Sequence, residues 1–358
     1  MQFLEILRIN MSELFTPIPT KWIEGIKIRG NVINETISAP LATYETPLWN
    51  SVRRGARATS AEDNAISVFV ENSTMSRSVI LRCGNTESAV NTAKALKTQF
   101  QDLAQTVRTT GRFVKLEEIH TEVVGNLLFV RFSFFTGDAS GHNTATKAAD
   151  RLIQEILEKF PACEYGSISG NFCTDKKPSA VNGILGRGRR TVAEVTLSAS
   201  VLQKILRTDA EKICQLNLEK NLIGGIIAGS IRSANAHFAN MLLAFYLATG
   251  QDAANIVEGS QGIVHCENRA GSLYFSCSLP NLIVGAIGNG KGGNLPVVEE
   301  ALTKLGCREE REIGDNGNRI AAIAAAIALC GELSLLAAQT NPGELMRSHI
   351  AIERSNKT

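Results

Sequence analysis

The chain has 358 residues, of which 44% are apolar, and its formal net charge at neutral pH is +2. This apolar fraction excludes a disordered chain, and the length predicts one large domain or two linked domains. Charges of both signs are mixed along the sequence, so nothing indicates nucleic acid or an acidic membrane surface as a partner.

The eight cysteines are scattered, with no CxxC pair and no Cys/His cluster of zinc-ligand spacing. We therefore expect reduced thiols, no metal and a cytoplasmic protein. Residues 1–15 do not have the basic stretch and long apolar run of a signal peptide. Residues 320–338 are long and apolar enough to span a bilayer, but they contain Gly331 and Glu332, so we predict a buried helix and no membrane.

The first forty residues contain three prolines and are expected to be irregular, and a helical pattern begins after Pro40. Strand-like runs, helical runs and a turn at Gly125 and Asn126 then follow in the order β-α-β-β-α-β, which is the split βαβ arrangement. We therefore place a small ferredoxin-like domain at residues 68–168. The predicted elements of this domain are strands at 67–72 and 76–83, a helix at 87–107, paired strands within 113–136, a helix at 143–160 and a strand near 164–169.

The remainder is expected to be mainly helical. Residues 209–250 contain no proline, and small residues recur near Gly224 and Gly229, which predicts one long, buried central helix. Residues 272–288 are strand-like and predict a sheet around that helix. The fold class is therefore α+β, with a large domain formed by residues 1–67 and 169–358 and a small inserted domain.

The most informative segment is SISGNFCTDKKPSAVN at residues 167–182. Taken alone, DKKP is typical of a solvated turn. The whole string, however, resembles the active-site loop of the hydroxymethylglutaryl-CoA (HMG-CoA) reductase family. Further segments resemble that family in the same order along the chain, at residues 40–58, 111–120, 137–147, 221–255, 331–338 and 346–355.

The resemblance implies an enzyme that reduces HMG-CoA to mevalonate and CoA with two molecules of NADPH. It implies that Lys176 stabilises an oxyanion, that Glu45 is an acid, that Asp252 couples the two and that His349 protonates the CoA thiolate. Each residue also has a plain structural interpretation. Glu45 would be a first-turn helix glutamate, Asp252 a helix cap and His349 a surface histidine.

The resemblance also implies the binding residues. Those expected to bind the acyl group or CoA are Arg54, Arg57, Arg77, Ser169, Asn171, Asp175, Lys177, Lys220 and Asn240. Those expected to bind the cofactor are Arg112, Phe113, Asp138, Ser140, Gly141, His142, Asn143, Gly288 and Arg354. An arginine at position 112 favours the 2′-phosphate of NADPH over NADH, although a solvent-facing arginine at a strand edge is the alternative. Arg54 and Arg57 lie three apart on one helical face and suit CoA phosphates, with solvated arginines as the alternative.

The sequence departs from the family at three places. Ser140 and His142 stand where the family has methionines, Lys291 lies in an unusually long glycine-rich loop, and residues 18–32 replace a glycine- and proline-rich string. The family also implies a homodimer or a dimer of dimers with the site between subunits. The alternative function is that of a divergent paralogue, which acts on another acyl-CoA thioester or only binds CoA esters or nucleotides.

Overall fold

The computed structural model describes residues 16–353, with the backbone alone at 291–292, 348–349 and 351–353. The fold is mixed α+β. The strands are β1 (Thr20–Gly30), β2 (Glu35–Ala42), β3 (Ile66–Cys83), β4 (Lys115–Val124), β5 (Leu127–Phe135), β6 (Cys163–Ser167), β7 (Gly188–Leu197), β8 (Ile263–Arg269) and β9 (Ser272–Leu282). The helices are α1 (Pro47–Thr59), α2 (Thr86–Thr98), α3 (Phe100–Arg108), α4 (His142–Lys159), α5 (Ala180–Leu185), α6 (Ala199–Val201), α7 (Ala210–Leu216), α8 (Gly225–Ile227), α9 (Phe238–Ala248), α10 (Ile256–Gly259), α11 (Pro296–Lys304), α12 (Asp315–Gln339) and α13 (Glu344–Glu353).

Strand β3 belongs to two sheets. Its residues 67–74 pair with β7 inside a sheet of order β2-β1-β3-β7-β9-β8. Its residues 75–82 pair with β5, and its last residues pair with β6, which gives the antiparallel order β4-β5-β3-β6. Two hydrophobic cores follow this division. The buried apolar residues of β3 up to Val70 belong to the large core, and those of β3 from Met75 onward belong to the small core. The paired strands expected around the turn at Gly125 and Asn126 are β4 and β5.

Helix α12 is the centre of the large core. Small residues let its neighbours approach, since a side chain on Gly55 of α1 would overlap the carbonyl oxygen of Cys330. Within residues 16–353, α12 is also the helix long and apolar enough to cross a membrane, yet 94% of its most apolar window is buried inside the protein. Its carboxylate at Glu332 is fully buried and accepts main-chain N–H groups of Ala236 and His237. The prediction of a buried helix at 320–338 is therefore confirmed.

The prediction that residues 1–40 are irregular is wrong for the described part, where β1 and β2 form the edge of the large sheet. Gly25, at φ +74°, makes a bulge that shifts the register between Ile23 and Ile26. The bulge breaks the alternation of apolar residues that would have marked the strand. Pro40 lies inside β2, which an edge strand tolerates, so α1 begins only at Pro47.

The prediction of one continuous helix at 209–250 is also wrong. The chain forms α7, a π-helical stretch at Asn217–Gly224 and α8, and then leaves the helix until α9. Gly229 and Arg232 have φ of +72° and +48°, which a helix cannot continue through. The central helix is α12 instead. A smaller difference is that the predicted helix at 87–107 is two helices, α2 and α3, which meet at Gln99.

Candidate functional site

The loop between β6 and α5 carries the lysine expected to act on the substrate. Three of its non-glycine residues, Asn171, Thr174 and Lys176, have φ between +41° and +57°. Residues in this left-handed region cost about 1–3 kcal/mol each and persist where surrounding contacts hold them. The loop is therefore a shaped segment, and the solvated turn suggested by DKKP alone does not describe it.

Buried side chains hold the loop by its main chain. Arg131, which is 1% exposed, donates to the carbonyl of Phe172 at 3.1 Å and to Asn182 Oδ1 at 2.8 Å. Asn182 Nδ2 in turn donates to the carbonyl of Thr174 at 2.9 Å. Burial lowers the pKa of Arg131 to about 10, which leaves it charged at neutral pH. These contacts fix the loop before Lys176.

Lys176 and Asp252 form an ion pair, with Nζ and Oδ2 2.7 Å apart. The hydrogen bond that Lys176 donates to this carboxylate is the main cause of a raised pKa for Lys176. Burial opposes ionisation of Asp252, but the bonds from Lys176 and the Ala254 N–H outweigh it and lower its pKa. Both groups are therefore charged at neutral pH.

Asp252 also caps a short 3₁₀ turn, because its Oδ1 accepts the N–H of Ala254 at 3.1 Å. The helix-cap interpretation is therefore correct for one oxygen, while the functional role of Asp252 stays a prediction. The cap fixes the carboxylate, and its second oxygen faces Lys176.

A buried charge network lies beneath this pair. Arg187 Nη1 lies 3.0 Å from Asp175 Oδ1 and 2.8 Å from Glu258 Oε1. Glu258, which is fully buried, also accepts the main-chain N–H of Lys176 at 3.0 Å. His142 Nε2 lies 3.6 Å from Asp175 Oδ1, and together with Arg187 it holds the pKa of Asp175 well below its usual range.

Sequence reasoning did not single out Arg187 and Glu258. They lie 71 residues apart, and the polar partners they bring together are scattered along the chain. The available signal in the sequence was a charged residue next to glycine, as for Arg187 in ILGRGRR and Glu258 in VEGS. Such signals are weak until the fold brings the residues together.

A cavity of about 800 Å³, here called the Lys176 cavity, lies between the β6–α5 loop and the start of α4. It contains most of the predicted cofactor residues, namely Ser140, Gly141, His142, Asn143 and Gly288, together with Asp175, Lys176 and Asp252. Helix α4 begins after Gly141, at φ +95°, and within the described part of the chain no side chain caps its first N–H groups. A helix N-terminus of this kind attracts an anion. Gly285 is required here, because a Cβ on it would overlap the main-chain nitrogen of Ser140.

The other predicted cofactor residues lie beside this loop. The Arg112 guanidinium stacks on Phe113, 5.0 Å from the ring centroid, and both residues are exposed. A Cβ on Gly137 would lie 3.7 Å from Phe113. Asp138 differs from the rest, because its two oxygens accept the N–H groups of Gly314 and Gly317 at the start of α12. Its carboxylate therefore joins the cofactor loop to the core, and its direct contact with a cofactor stays a prediction.

Glu45 lies apart from the Lys176 cavity, in the loop between β2 and α1. Its Oε2 accepts a hydrogen bond from Asn240 Nδ2 at 3.0 Å. Its side chain is exposed, so this chain alone does not bury it as a proton donor at neutral pH requires. Among the described residues, no hydrogen bond or ion pair links Glu45 to Asp252 or Lys176. Asp252 was expected to couple Lys176 to Glu45. Within the described part of one chain, the contact of Asp252 with Lys176 is present and a contact with Glu45 is not.

Lys220 lies in the π-helical stretch Asn217–Gly224, which precedes α8. Burial lowers the pKa of Lys220, while the charge of Glu332 opposes this shift. Glu332 also pairs with His237 Nδ1 at 3.1 Å.

A second cavity, of about 590 Å³, lies between α1 and α13 and is here called the basic pocket. Arg54 and Arg57 line it, which leaves their binding of CoA phosphates a prediction, and sequence reasoning missed the other cations. Its charged lining residues are Arg53, Arg54, Arg57, Lys204, Arg207, Arg347 and Glu344. Arg54 Nη1 pairs with Glu344 Oε1 at 2.5 Å and its Nε donates to Ser334 Oγ at 3.0 Å.

The remaining predicted residues are placed as follows. Arg77 lies on β3 with its Nε buried. The exposed residues of the β6–α5 loop include Ser169, Asn171 and Lys177. His349 lies on α13, where its backbone alone is described, and Arg354 lies outside the described residues. The Lys177 ammonium donates to the carbonyl of Asp175 at 3.2 Å. Across residues 16–353, no group of three or more His, Cys, Asp and Glu side chains is placed to hold a metal ion.

Comparison with known proteins gives a consistent result. The family profile described as hydroxymethylglutaryl-coenzyme A reductase matches residues 15–354. The 3-hydroxy-3-methylglutaryl-coenzyme A reductase of Pyrococcus abyssi is 40% identical over 90% of this chain and 78% of its own length. That of Aeropyrum pernix is 39% identical over 94% and 79%, and reductase 2 of Dictyostelium discoideum is 37% identical over 96% and 65%.

A solved structure shares the fold at low sequence identity. It is the class II 3-hydroxy-3-methylglutaryl-CoA reductase of Streptococcus pneumoniae, bound to NADPH in open conformations. It superposes with a TM-score of 0.72 at 16% identity, over 95% of this chain and 89% of that one. The family expected from the DKKP loop and the segments around it is confirmed, and the chain belongs to the hydroxymethylglutaryl-coenzyme A reductase family.

Proposed function

We propose that this protein reduces HMG-CoA to mevalonate and releases CoA, with NADPH as the reductant. The observation that carries the proposal is the Lys176–Asp252 ion pair facing a cavity whose opposite wall is the start of α4. The chain spans 65% to 79% of the three relatives named above, all of them HMG-CoA reductases.

The residues around the Lys176 cavity fit a dinucleotide. The uncapped N–H groups that follow Gly141 suit a phosphate, and the close approach at Gly285 shapes the loop around it. Arg112, exposed beside this loop, suits the 2′-phosphate that distinguishes NADPH from NADH. When bound, NADPH supplies the hydride for both reduction steps.

Lys176 stabilises the negative charge that develops on the thioester oxygen. Its ammonium is kept charged by Asp252, so it is ready to donate a hydrogen bond to the oxyanion. His349 protonates the departing CoA thiolate, a step for which an imidazole has a suitable pKa. Glu45 supplies the proton for the second reduction, from aldehyde to alcohol.

Substrate binding uses two groups of cations. The free carboxylate of the acyl group is bound by Arg77, Lys177 and Lys220, with Ser169, Asn171, Asp175 and Asn240 as polar contacts. CoA phosphates occupy the basic pocket, where Arg54 and Arg57 are joined by four further cations.

We further propose that two chains share each active site. Among the described residues, no hydrogen bond or ion pair joins Glu45 to Lys176 or Asp252 within one chain, although the proposed reaction needs all three. An exposed apolar surface lies between α7 and α9, where Ile226 and Ile227 are 78% and 82% exposed. A second copy of this chain that covers this surface would bury isoleucines that water otherwise surrounds.

A complementation test distinguishes shared from separate sites. Mixing the inactive variants Glu45→Gln and Lys176→Ala restores about a quarter of the wild-type activity if random dimers share sites. Sites contained within one chain predict no activity in any mixture. Sedimentation separates a dimer from a dimer of dimers.

The domain division also remains a proposal. We propose that a ferredoxin-like cofactor domain, expected at residues 68–168, is inserted between residues 1–67 and 169–358. Its first strand is the second half of β3, because residues 67–74 pair within the large sheet. The β4-β5-β3-β6 order and the separate small core support it. The buried position of α12 is compatible with the cytoplasmic location that we propose.

The direct test of the function is NADPH oxidation by the purified protein with HMG-CoA, beside a Lys176→Met variant that keeps the side-chain length without the charge. The proposal predicts that the variant binds the thioester but loses turnover. A second candidate, reduction of another acyl thioester, is favoured by His142 beside Asp175 in the Lys176 cavity. Turnover with a different thioester, and none with HMG-CoA, would establish that candidate.

A further inference from the structure

A buried carboxylate lies directly behind Lys176. Glu258, on α10, is fully buried, and its Oε1 accepts the main-chain N–H of Lys176 at 3.0 Å. The same oxygen accepts a hydrogen bond from Arg187 Nη1 at 2.8 Å. Lys176 itself has φ +56°, a conformation that a lysine rarely adopts without external contacts.

We propose that Glu258 is the positioning residue for Lys176. Its carboxylate holds the main chain of Lys176 in the left-handed conformation from which the ammonium reaches Asp252 and the Lys176 cavity. The inference rests on the proposed function of Lys176, and it extends that function to a residue that does not touch the substrate.

The rest of the loop does not perform this task. Arg131 and Asn182 bind the carbonyls of Phe172 and Thr174, which lie four and two residues before Lys176. Among the described hydrogen bonds, the bond to Glu258 is the one made by the Lys176 main chain itself. The loop can therefore keep its overall course while Lys176 loses its conformation.

A purely stabilising role explains the arrangement less well. Replacing a buried ion pair with apolar residues is often neutral or stabilising, because burying the charges is costly. Burial raises the pKa of Glu258, against the effect of Arg187, and Glu258 Oε2 has no hydrogen-bond partner among the described residues. A costly carboxylate at this point is explained by the strained residue that it holds.

The kinetic test compares Glu258→Gln with Glu258→Leu. Glutamine keeps an oxygen that accepts the Lys176 N–H, whereas leucine has a similar volume and no acceptor. We expect the leucine variant to lose about 10- to 100-fold in kcat with the KM for HMG-CoA within about threefold of wild type. The glutamine variant should stay within about tenfold of the wild-type kcat. Glu155→Gln, a buried carboxylate on α4 paired with Lys159, is the matched control and should be unchanged.

A second test needs no catalysis. Hydrogen–deuterium exchange of the Lys176 amide should be slow in the wild type and in Glu258→Gln, and fast in Glu258→Leu. If the wild type fails to reduce HMG-CoA, the proposed function fails, and the exchange data still decide the role of Glu258. If the leucine variant does not fold, amide exchange in the wild-type protein alone tests the role of Glu258. Rapid exchange of the wild-type Lys176 amide would overturn the inference, and slow exchange would support it. Equal kcat in the folded leucine and glutamine variants would also overturn it.

Discussion

Replacing Asp252 with asparagine removes one charge from the Lys176–Asp252 pair and keeps the shape of the side chain. The asparagine oxygen can still accept the Ala254 N–H, so the 3₁₀ turn remains capped. The lost element is the anionic oxygen 2.7 Å from the Lys176 ammonium. The substitution therefore separates the electrostatic role of Asp252 from its structural one.

The structure sets the expected size of the changes in the free energy of unfolding and in kcat. Lys176 and Asp252 are 40% and 45% exposed, and ion pairs this exposed contribute about 0.2–1 kcal/mol to stability because solvent screens them. We therefore expect the free energy of unfolding to fall by less than about 1 kcal/mol. A charge-assisted hydrogen bond needed in the transition state contributes about 1.5–3 kcal/mol, so kcat should fall by roughly 10- to 100-fold.

The pH dependence should change as well. The hydrogen bond that Lys176 donates to Asp252 is the largest cause of the raised pKa of Lys176, and the charges of Asp175 and Glu258 add to it. Removing the Asp252 charge lowers this pKa, so the loss of kcat at high pH should begin at a lower pH in the variant. The assay is steady-state NADPH oxidation across the basic pH range, with urea unfolding of the same samples.

Asp209→Asn is the matched control. Asp209 accepts the Lys212 N–H at 2.9 Å as the cap of α7 and pairs with the Lys212 ammonium at 3.0 Å. It thus repeats the cap and the ion pair of Asp252 away from the Lys176 cavity. Wild-type kcat in Asp252→Asn, or an equal loss of kcat in Asp209→Asn, would refute the role given to Asp252.

Three further predictions follow from individual contacts. Arg112→Ala should raise the KM for NADPH about tenfold or more while the KM for NADH stays within about twofold, as measured with both cofactors. Gly55→Ala should lower the free energy of unfolding by about 1–3 kcal/mol, because the new methyl group overlaps the Cys330 carbonyl and separates α1 from α12. The pKa of Asp175 is held down by His142 and a buried arginine, so its stabilisation is present above the ordinary carboxylate pKa and is lost as the pH falls below about 4. The difference in unfolding free energy between wild type and Asp175→Asn should therefore shrink between pH 7 and pH 3, and a constant difference would contradict this.

Local patterns predicted much of the small sheet and the buried helix at 320–338. Apolar alternation on both sides of Gly125 marked β4 and β5, and an uninterrupted apolar run marked α12. The patterns failed where one residue changes the backbone. Gly25 shifts the register of β1 by a bulge, and Gly229 ends a helix that the small residues around it favoured.

The candidate site also has a part that the sequence predicted and a part that it did not. The string around DKKP identified the loop of Lys176, and the structure brings Asp252 to it across 76 residues of sequence. The buried support from Arg187 and Glu258 could not be predicted, because it depends on a fold that brings distant charges together. The exposure of Glu45 was also not predictable, since it depends on what covers the loop before α1.

We propose that this protein reduces a thioester at the Lys176 cavity, rather than hydrolysing it or only binding it. The measurement that tests this is the amount of NADPH consumed for each CoA thiol released from HMG-CoA by the wild-type protein. We expect two molecules of NADPH to be consumed per CoA released, with mevalonate as the acyl product. Release of CoA without consumption of NADPH, or tight binding of HMG-CoA with neither, would contradict it.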